Sequence, residues 1–396
     1  MASDFAAALY RARFLFGTVP LFSLATTGLF PIVALELNAR GVDERTVGAI
    51  TSLYYLGAVL GAFSFGAVVA RLGQRRALAV AAVIAAASTV LLGQTDDTGH
   101  WLALRFVTGY SLGAYYLVMD SWVASLATPS TRARLHAVYE TTRLVATAAG
   151  PLALLIGTLQ TNLWWLAAAF VLAVGPALLN RETAVAAGKS LTPAALIDTV
   201  RCFCWPMLVA ICGGLANASF YALGAVYAQD VGFAPAMVAV FVSAVLFAPV
   251  LSELPIGALA DRFTRMGVAA MAAGVAAAAA TLLAALGQPG LVLALPLGVL
   301  VGGTMVTMYA LALSRIVDAV GGENAVQAAT VALLAYNFGS FIGPALSGVA
   351  VYRFGPAGLY LAICGFALAA CAAALIDRHR ARCCREPAGP APVPVR

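Results

Sequence analysis

The sequence predicts an all-α membrane protein of about twelve transmembrane helices, arranged as two pseudo-symmetric six-helix bundles, and three observations predict it. Hydrophobic residues make up 62% of the 396 and charged residues 10%, with a mean hydropathy of +0.93. Soluble domains run at roughly 45–50% apolar and about 25% charged. The apolar residues are gathered into runs close to the ~20 residues that a helix needs to cross a bilayer. Landmarks in the first half return in the second at a nearly constant interval.

The runs fall at residues 14–36, 47–70, 77–95, 101–127, 136–159 and 163–179, and then at 203–228, 234–259, 267–287, 290–313, 326–351 and 357–376. The first begins at Phe14 with no small-residue cleavage site after it, so it reads as a retained helix and not as a signal peptide. Four segments follow: a bundle over 1–180, a polar linker over 181–201 with the sole lysine, Lys189, a second bundle over 202–376, and a basic, Pro-rich tail over 377–396. The tail composition predicts a solvated, disordered segment. Cys383 and Cys384 lie in it and are expected to be reduced thiols.

Gly66 opens G-A-V-V-A-R-L-G-Q-R-R at the end of the second run, and Gly257 opens G-A-L-A-D-R-F-T-R at the end of the eighth, 191 residues later. Gly150-Pro151 and Gly343-Pro344 stand 193 apart. The common interval implies duplication, a plan on which many secondary transporters are built, with the substrate held between the halves near the midplane. Of the 23 Lys and Arg, eighteen fall on one side of the twelve-run scheme and only Arg40, Arg45 and Arg353 on the other. That bias places both termini and the linker in the cytosol of a bacterial inner-membrane protein.

The formal charge of +6 is therefore a topology signal and gives no reason to expect a nucleic-acid partner. Seven Cys without zinc-type spacing support neither a metal site nor a disulfide framework. No H-E-x-x-H, G-x-S-x-G or Walker-type loop is present, and His100, His136 and His379 are scattered, so neither an enzyme nor a cofactor is expected. Two other readings remain. Cys202, Cys204, Met207, Met305 and Met308 would suit a soft metal ion as cargo, and a channel is disfavoured by the duplication.

These residues resemble the major facilitator superfamily over nearly the whole chain. The family's loop signature, G-x-L-a-D-r-x-G-r-k, is similar to Gly66, Arg71, Gly73 and Arg75, with Ala70 in place of its acid. The second copy keeps Gly257, Leu259, Asp261, Arg262 and Arg265. The resemblance implies a loop that latches the cytosolic side, weakened in the first copy. The fourth-helix pattern R-x-x-q-G is similar to Arg105 through Gly109, and the antiporter pattern G-x-x-x-G-P to Gly339 through Pro344, with Ala146 breaking its counterpart in the fifth run. R-F-V-T-G, D-S-W and T-R-A-R-L-H-A-V-Y resemble the YcaD-like branch, which implies no particular substrate.

An ionisable side chain inside a spanning helix costs roughly 2.5–3.5 kcal/mol on insertion scales, so Arg105, Asp120, Glu140, Arg143 and Glu253 call for a reason. Arg105, Gly109, Gly113, Tyr116 and Asp120 share one face of the fourth run and are expected to line the cavity. The alternative is that Arg105 and Asp120 snorkel to opposite interfaces. Glu140 and Arg143, three apart, can form an ion pair, structural or functional; Arg143 is the deepest charge and the best anchor for an anionic group. Asp120, Glu253 and Glu140, all in the cytosolic third of their helices, are the candidates for proton binding. Neutral candidates near the midplane are Thr26, Thr27, Asn217, Tyr221, Tyr309 and Asn337, suited either to a small amphipathic molecule or to helix packing.

The expected function is proton-coupled secondary transport of a small organic molecule by a monomer. The Gly-Pro pattern leans toward antiport and export, and Arg143 toward uptake of an organic anion.

Overall fold

The computed structural model describes residues 2–128, 131–179, 202–320 and 325–383. The expected linker 181–201 with Lys189, and Cys384 with the rest of the tail, lie outside the described residues. In the first half the helices are α1 (Ala2–Ala12), α2 (Leu15–Ala39), α3 (Glu44–Ser64), α4 (Gly66–Leu92), α5 (Thr98–Leu126), α6 (Arg132–Ala149), α7 (Leu159–Leu172) and α8 (Val174–Leu179). The second half holds α9 (Cys204–Asp230), α10 (Pro235–Arg262), α11 (Arg265–Ala285), α12 (Leu291–Val320), α13 (Ala325–Phe354) and α14 (Ala357–Cys383). A 3₁₀ segment over Gly150–Leu155 prolongs α6 into the fifth crossing, and α7 with α8 makes the sixth.

Among the described residues, ten helices are long and apolar enough to cross a membrane. The two crossings outside that set, α5 and α6, are the ones that carry Arg105, Asp120, Glu140 and Arg143. Polarity that lowers their hydropathy is the polarity of the site.

The duplication is visible in the backbone. Gly41 and Gly232, 191 apart in sequence, both adopt positive φ, 73° and 90°, as the residue after a helix terminus does when it closes the last turn. Their neighbours repeat the same bonds: Val42 N–H to Leu37 O and Phe233 N–H to Ala228 O, each 3.0 Å.

Within the first bundle α3 packs on α5 through glycine. A Cβ at Gly57 would strike the Phe106 carbonyl, and one at Gly109 the Tyr54 carbonyl. Lipid supplies little hydrophobic drive between helices, so such close backbone approach is what holds them. The Gly-Pro landmarks do the same work, Gly339 and Gly343 against Ile211 and Leu215, and Gly150 against Thr27 and Gly28.

The halves meet where α3 packs on α13, α2 on α9, and α6 with its 3₁₀ extension on α10. At the end where α3 begins this seam is tight. Gly48 lies under the Pro344 carbonyl and Gly348 under the Glu44 carbonyl. There Asn38 Nδ2 also donates to Gln229 Oε1 at 3.3 Å, and the Arg45 guanidinium sits 3.8 Å from the Tyr352 ring centre.

The N-terminal segment ahead of the first crossing is helical as α1, with Asp4 in its first turn and Arg11 in its last, as the helix dipole favours. Two expectations change. Residues 377–383, assigned to a disordered tail, continue α14, where Asp377 accepts from Arg315 Nε at 3.0 Å. The signature residues Gly66, Arg71, Gly73 and Arg75 form no open loop. They lie in α4, which is broken only at Gly73, φ 75° and ψ 161°, a conformation open to glycine alone. Gly257, Asp261 and Arg262 likewise belong to the last turns of α10.

Candidate functional site

The charges and tyrosines of α5 and α6 gather with those of α9, α10, α12 and α13 where the two bundles face each other. Arg143 donates from Nε and Nη2 to Glu140 Oε2 at 2.9 and 2.5 Å. Both side chains are about one-third exposed, 30% and 31%, so the pair lines a wall and is not sealed within the bundle. It spans one turn of α6, the i,i+3 spacing at which helix neighbours meet. The Tyr116 ring lies 5.9 Å from the same guanidinium, and its hydroxyl reaches Ser23 Oγ of α2 at 3.3 Å.

Asp120, one turn beyond Tyr116 on α5, is exposed. Its Oδ1 accepts from the Tyr139 hydroxyl of α6 at 2.7 Å, and the His136 ring stands 5.9 Å from that of Tyr139. The second bundle answers with Glu253 of α10, exposed and close enough to interact electrostatically with Glu140 and Arg143. Tyr309 of α12 interacts in the same way with Glu140 and Asp120. Three carboxylates from three helices therefore share one field around one arginine.

Higher on the walls Asn217 Nδ2 donates to the Tyr336 hydroxyl at 2.8 Å, and the Tyr309 and Tyr336 rings lie 5.2 Å apart. Tyr221 packs against Phe30 of α2 at 4.9 Å, joining the halves. Asn217, Tyr221, Tyr309, Tyr336 and Asn337 are all half-buried. Tyr336 is the wall residue that the sequence reading passed over. A tyrosine in an apolar run looks like any other ring, yet Asn217, an amide inside a spanning helix in need of a partner, was a signal for it.

Thr26 is 5% exposed and Thr27 6%. Thr27 Oγ1 donates to Ser23 O at 2.8 Å and lies over Gly150, a packing role. Thr26 and Asn217, 191 residues apart, sit in unequal environments: Thr26 is buried and Asn217 half-buried.

Arg105 is where the structure departs furthest from expectation. It does not snorkel: the residue is 0% exposed, and its Nε, Nη1 and Nη2 have no hydrogen-bond partner among the described residues. The guanidinium lies against the rings of Tyr54, 4.4 Å, and Phe30, 5.0 Å, which themselves meet edge to face at 4.9 Å, so that two rings shield one side of the cation. In this conformation it is walled off from the cavity, on the side of the tight seam.

The two signature copies differ in their charges. Arg265 donates to Asp261 Oδ1 at 2.8 Å and to Asp318 Oδ2 at 3.3 Å. The positions 191 residues earlier hold Ala70 and Gln74, and Gln74 Nε2 reaches Ser121 Oγ of α5 at 3.3 Å. The acid and the base of that pair are replaced together, so neither is left without the other.

Met305 and Met308 are 1% exposed and packed into the hydrophobic core, while Cys202 and Cys204 are exposed free thiols. Among the described residues, no group of three or more His, Cys, Asp or Glu side chains is arranged to hold a metal ion.

Comparison with known proteins decides the family. The profile described as Major Facilitator Superfamily matches residues 15–195 and 206–394. The chain belongs to the Major Facilitator Superfamily. It is a multi-pass membrane protein and a secondary transporter, not an enzyme. It is similar to an MFS-type transporter of Yersinia enterocolitica, YE1530, at 25% identity over 88% of this chain and 91% of that one. It also resembles the MFS-type transporter YcaD of Escherichia coli, 27% identical over 87% and 89%. Both relatives are described as uncharacterised. Among solved structures, the nucleoside transporter NupG aligns with a TM-score of 0.80 at 15% identity, covering 92% of this chain and 98% of that one. A bacterial homologue of the lysosomal transporter Spinster, in an inward-facing and occupied conformation, gives 0.76 at 14%, covering 94% and 96%. Identities this low speak for the fold alone.

Proposed function

We propose that the protein exports a small amphipathic organic molecule in exchange for protons, working as a monomer by alternating access in the bacterial inner membrane with both termini cytosolic. The observation that carries this reading is the Glu140–Arg143 pair on the cavity wall, faced across the seam by Glu253. The tight seam at the start of α3 closes one end, and the exposed Asp120 and Glu253 mark the other as open, which the arginine bias assigns to the cytosol.

In that state a ligand enters from the cytosol and meets a wall of Tyr116, Tyr221, Tyr309, Tyr336, Asn217 and Asn337. Rings supply apolar area, and amide and hydroxyl groups supply a few directional bonds, as small-molecule sites require. A proton arriving at Glu140 neutralises the acceptor of Arg143 and frees the guanidinium. A substrate that binds only while the Glu140–Arg143 pair is intact is displaced by that proton, which is the condition for exchange. Asp120, already accepting from Tyr139, is the proton site nearest the open end.

A second reading, uptake of a small organic anion with protons, is favoured by Arg105, a buried cation without a counter-ion among the described residues, near the closed end. Thermal-shift screening of purified protein against metabolite and drug libraries at pH 6 and pH 8 supplies a ligand by mass action. Counterflow of that ligand in proteoliposomes then tests coupling. Exchange predicts acceleration by an inward proton gradient, lost in Asp120→Asn and Glu140→Gln. Flux indifferent to the gradient, and unchanged in both variants, would sink the proton-coupled reading.

A further inference from the structure

Where α10 hands over to α11, four arginines gather at one end of the second bundle, and only two of them are neutralised. Arg265 holds Asp261 and Asp318, and Arg315 holds Asp377. Among the described residues, Arg262 and Arg378 have no carboxylate partner, and the Nε of Arg378 is buried with no hydrogen-bond partner. Both line a cavity of about 520 Å³, together with Phe263, Thr264, Gly267 and Met271.

The floor of this cavity is the first turn of α11. Thr264 Oγ1 takes the Gly267 N–H at 3.2 Å, and the earlier N–H groups of the turn have no helical acceptor, so the helix end adds to the positive field of the two guanidinium groups. Gly267 leaves the space into which the Arg378 guanidinium reaches, 3.4 Å from where a Cβ would stand. A buried guanidinium nitrogen lacking an acceptor costs free energy unless something supplies one. The shared chemistry of the missing group is a phosphate, whose oxygens match the guanidinium fork.

Two sources could bring it, a lipid or a free phosphate, and the surroundings favour the lipid. Phe263 is 63% exposed and Met271 53%, apolar side chains at the cavity's own rim. From there two lipid-facing stripes lead away, Met271 and Val275 on α11, and Leu375 and Leu368 on α14, all exposed. Arg378 lies one turn beyond Leu375. A headgroup in the cavity would therefore leave its acyl chains on a ready apolar track, at the face the arginine bias assigns to the cytosol.

We propose that Arg262, Arg378 and the α11 N-terminus form a binding site for the phosphate of an anionic glycerophospholipid. The bound lipid would tie the α10–α11 junction to α14.

Native mass spectrometry of the detergent-purified full chain, titrated with phosphatidylglycerol, tests this. Phosphatidylcholine and inorganic phosphate are the comparison arms. The expected result is retention of phosphatidylglycerol adducts, with binding about thirtyfold weaker in Arg262→Gln/Arg378→Gln. Arg134→Gln, an exposed arginine elsewhere, should leave binding unchanged, and Arg378→Lys should keep part of it. Monodisperse elution checks that each variant is folded, and Arg262→Gln alone serves if the double variant is not. Equal retention of phosphatidylcholine, equal loss in Arg134→Gln, or full protection by inorganic phosphate without phosphatidylglycerol adducts would each overturn the lipid site.

Discussion

Replacing Arg105 by Met should leave the protein at least as stable as it was while abolishing transport. In the structure the guanidinium is wholly enclosed, donates no hydrogen bond and is offset only by the Tyr54 and Phe30 rings. Enclosing an ion costs several kcal/mol after relaxation, and two desolvated cation–π contacts return about 2 kcal/mol each. The balance is close to zero or unfavourable by a few kcal/mol. Met keeps the length and apolar stem, fills most of the space, and removes the charge without orphaning a partner. The expectation is therefore a change between none and a gain of about 2 kcal/mol, where loss of a structural arginine in a satisfied network costs about 3–5 kcal/mol. Thermal unfolding in detergent reads the sign, since 1 kcal/mol moves the midpoint by at least ~1–2 °C in a chain of this size. Counterflow of the screened ligand reads the function. A midpoint lowered by more than about 5 °C would refute the argument, because it would mean that Arg105 holds partners that the cage does not show. A stable variant with unchanged flux would remove Arg105 from the transport cycle.

Two further outcomes follow from the seam and from a helix cap. In Gly48→Leu the new side chain meets the Pro344 backbone, which cannot step aside. The closed end should then be disfavoured, and oxidative cross-linking of an Asn38→Cys/Gln229→Cys pair, efficient in the parent, should slow markedly; undiminished cross-linking would show that the seam is looser than described. Asp43 caps α3 through the Thr46 N–H at 3.0 Å. Burial raises its carboxyl, but Thr46 and Arg45 outweigh that and hold it below its ordinary 3.8. A lowered folded value stabilises above the unfolded pKa and is lost as pH falls through the folded one. Asp43→Ala should therefore cost about 1 kcal/mol at pH 7, with the gap to the parent narrowing below pH ~4. A gap constant from pH 7 to pH 3.5 would exclude an ionised cap.

The spans were legible because each is a local quantity. A run of apolar residues sets its own length, and the interval of 191 located the second half from the first. Ends such as Leu37–Val42 and Ala228–Phe233 repeat that interval down to single hydrogen bonds. The Glu140–Arg143 pair was legible for the same reason, being three residues apart on one helix. Less legible was whatever needs side chains from different helices. The cage of Arg105 draws Phe30 from α2 and Tyr54 from α3, and the partner of Asn217 comes from α13. The signature segment misled in a different way: R-L-G-Q-R-R looks like a polar turn, yet one glycine with positive φ bends the chain and leaves helix on both sides.

The exchange of Asp261 and Arg265 for Ala70 and Gln74 in the other copy gives the two bundles unequal sensitivity to ionic strength. Exposed charge pairs weaken as the screening length contracts from about 10 Å at 0.1 M salt to about 3 Å at 1 M. The Asp261–Arg265–Asp318 cluster, with its carboxylates 72% and 58% exposed, lies in that screened zone. The Gln74–Ser121 contact involves no net charge and is indifferent to it. A duplicated transporter has thus lost part of its symmetry in electrolyte response while keeping it in shape. Concentrated salt would soften the Asp261–Arg265–Asp318 contacts of the second bundle and leave the Gln74–Ser121 contact of the first as it was.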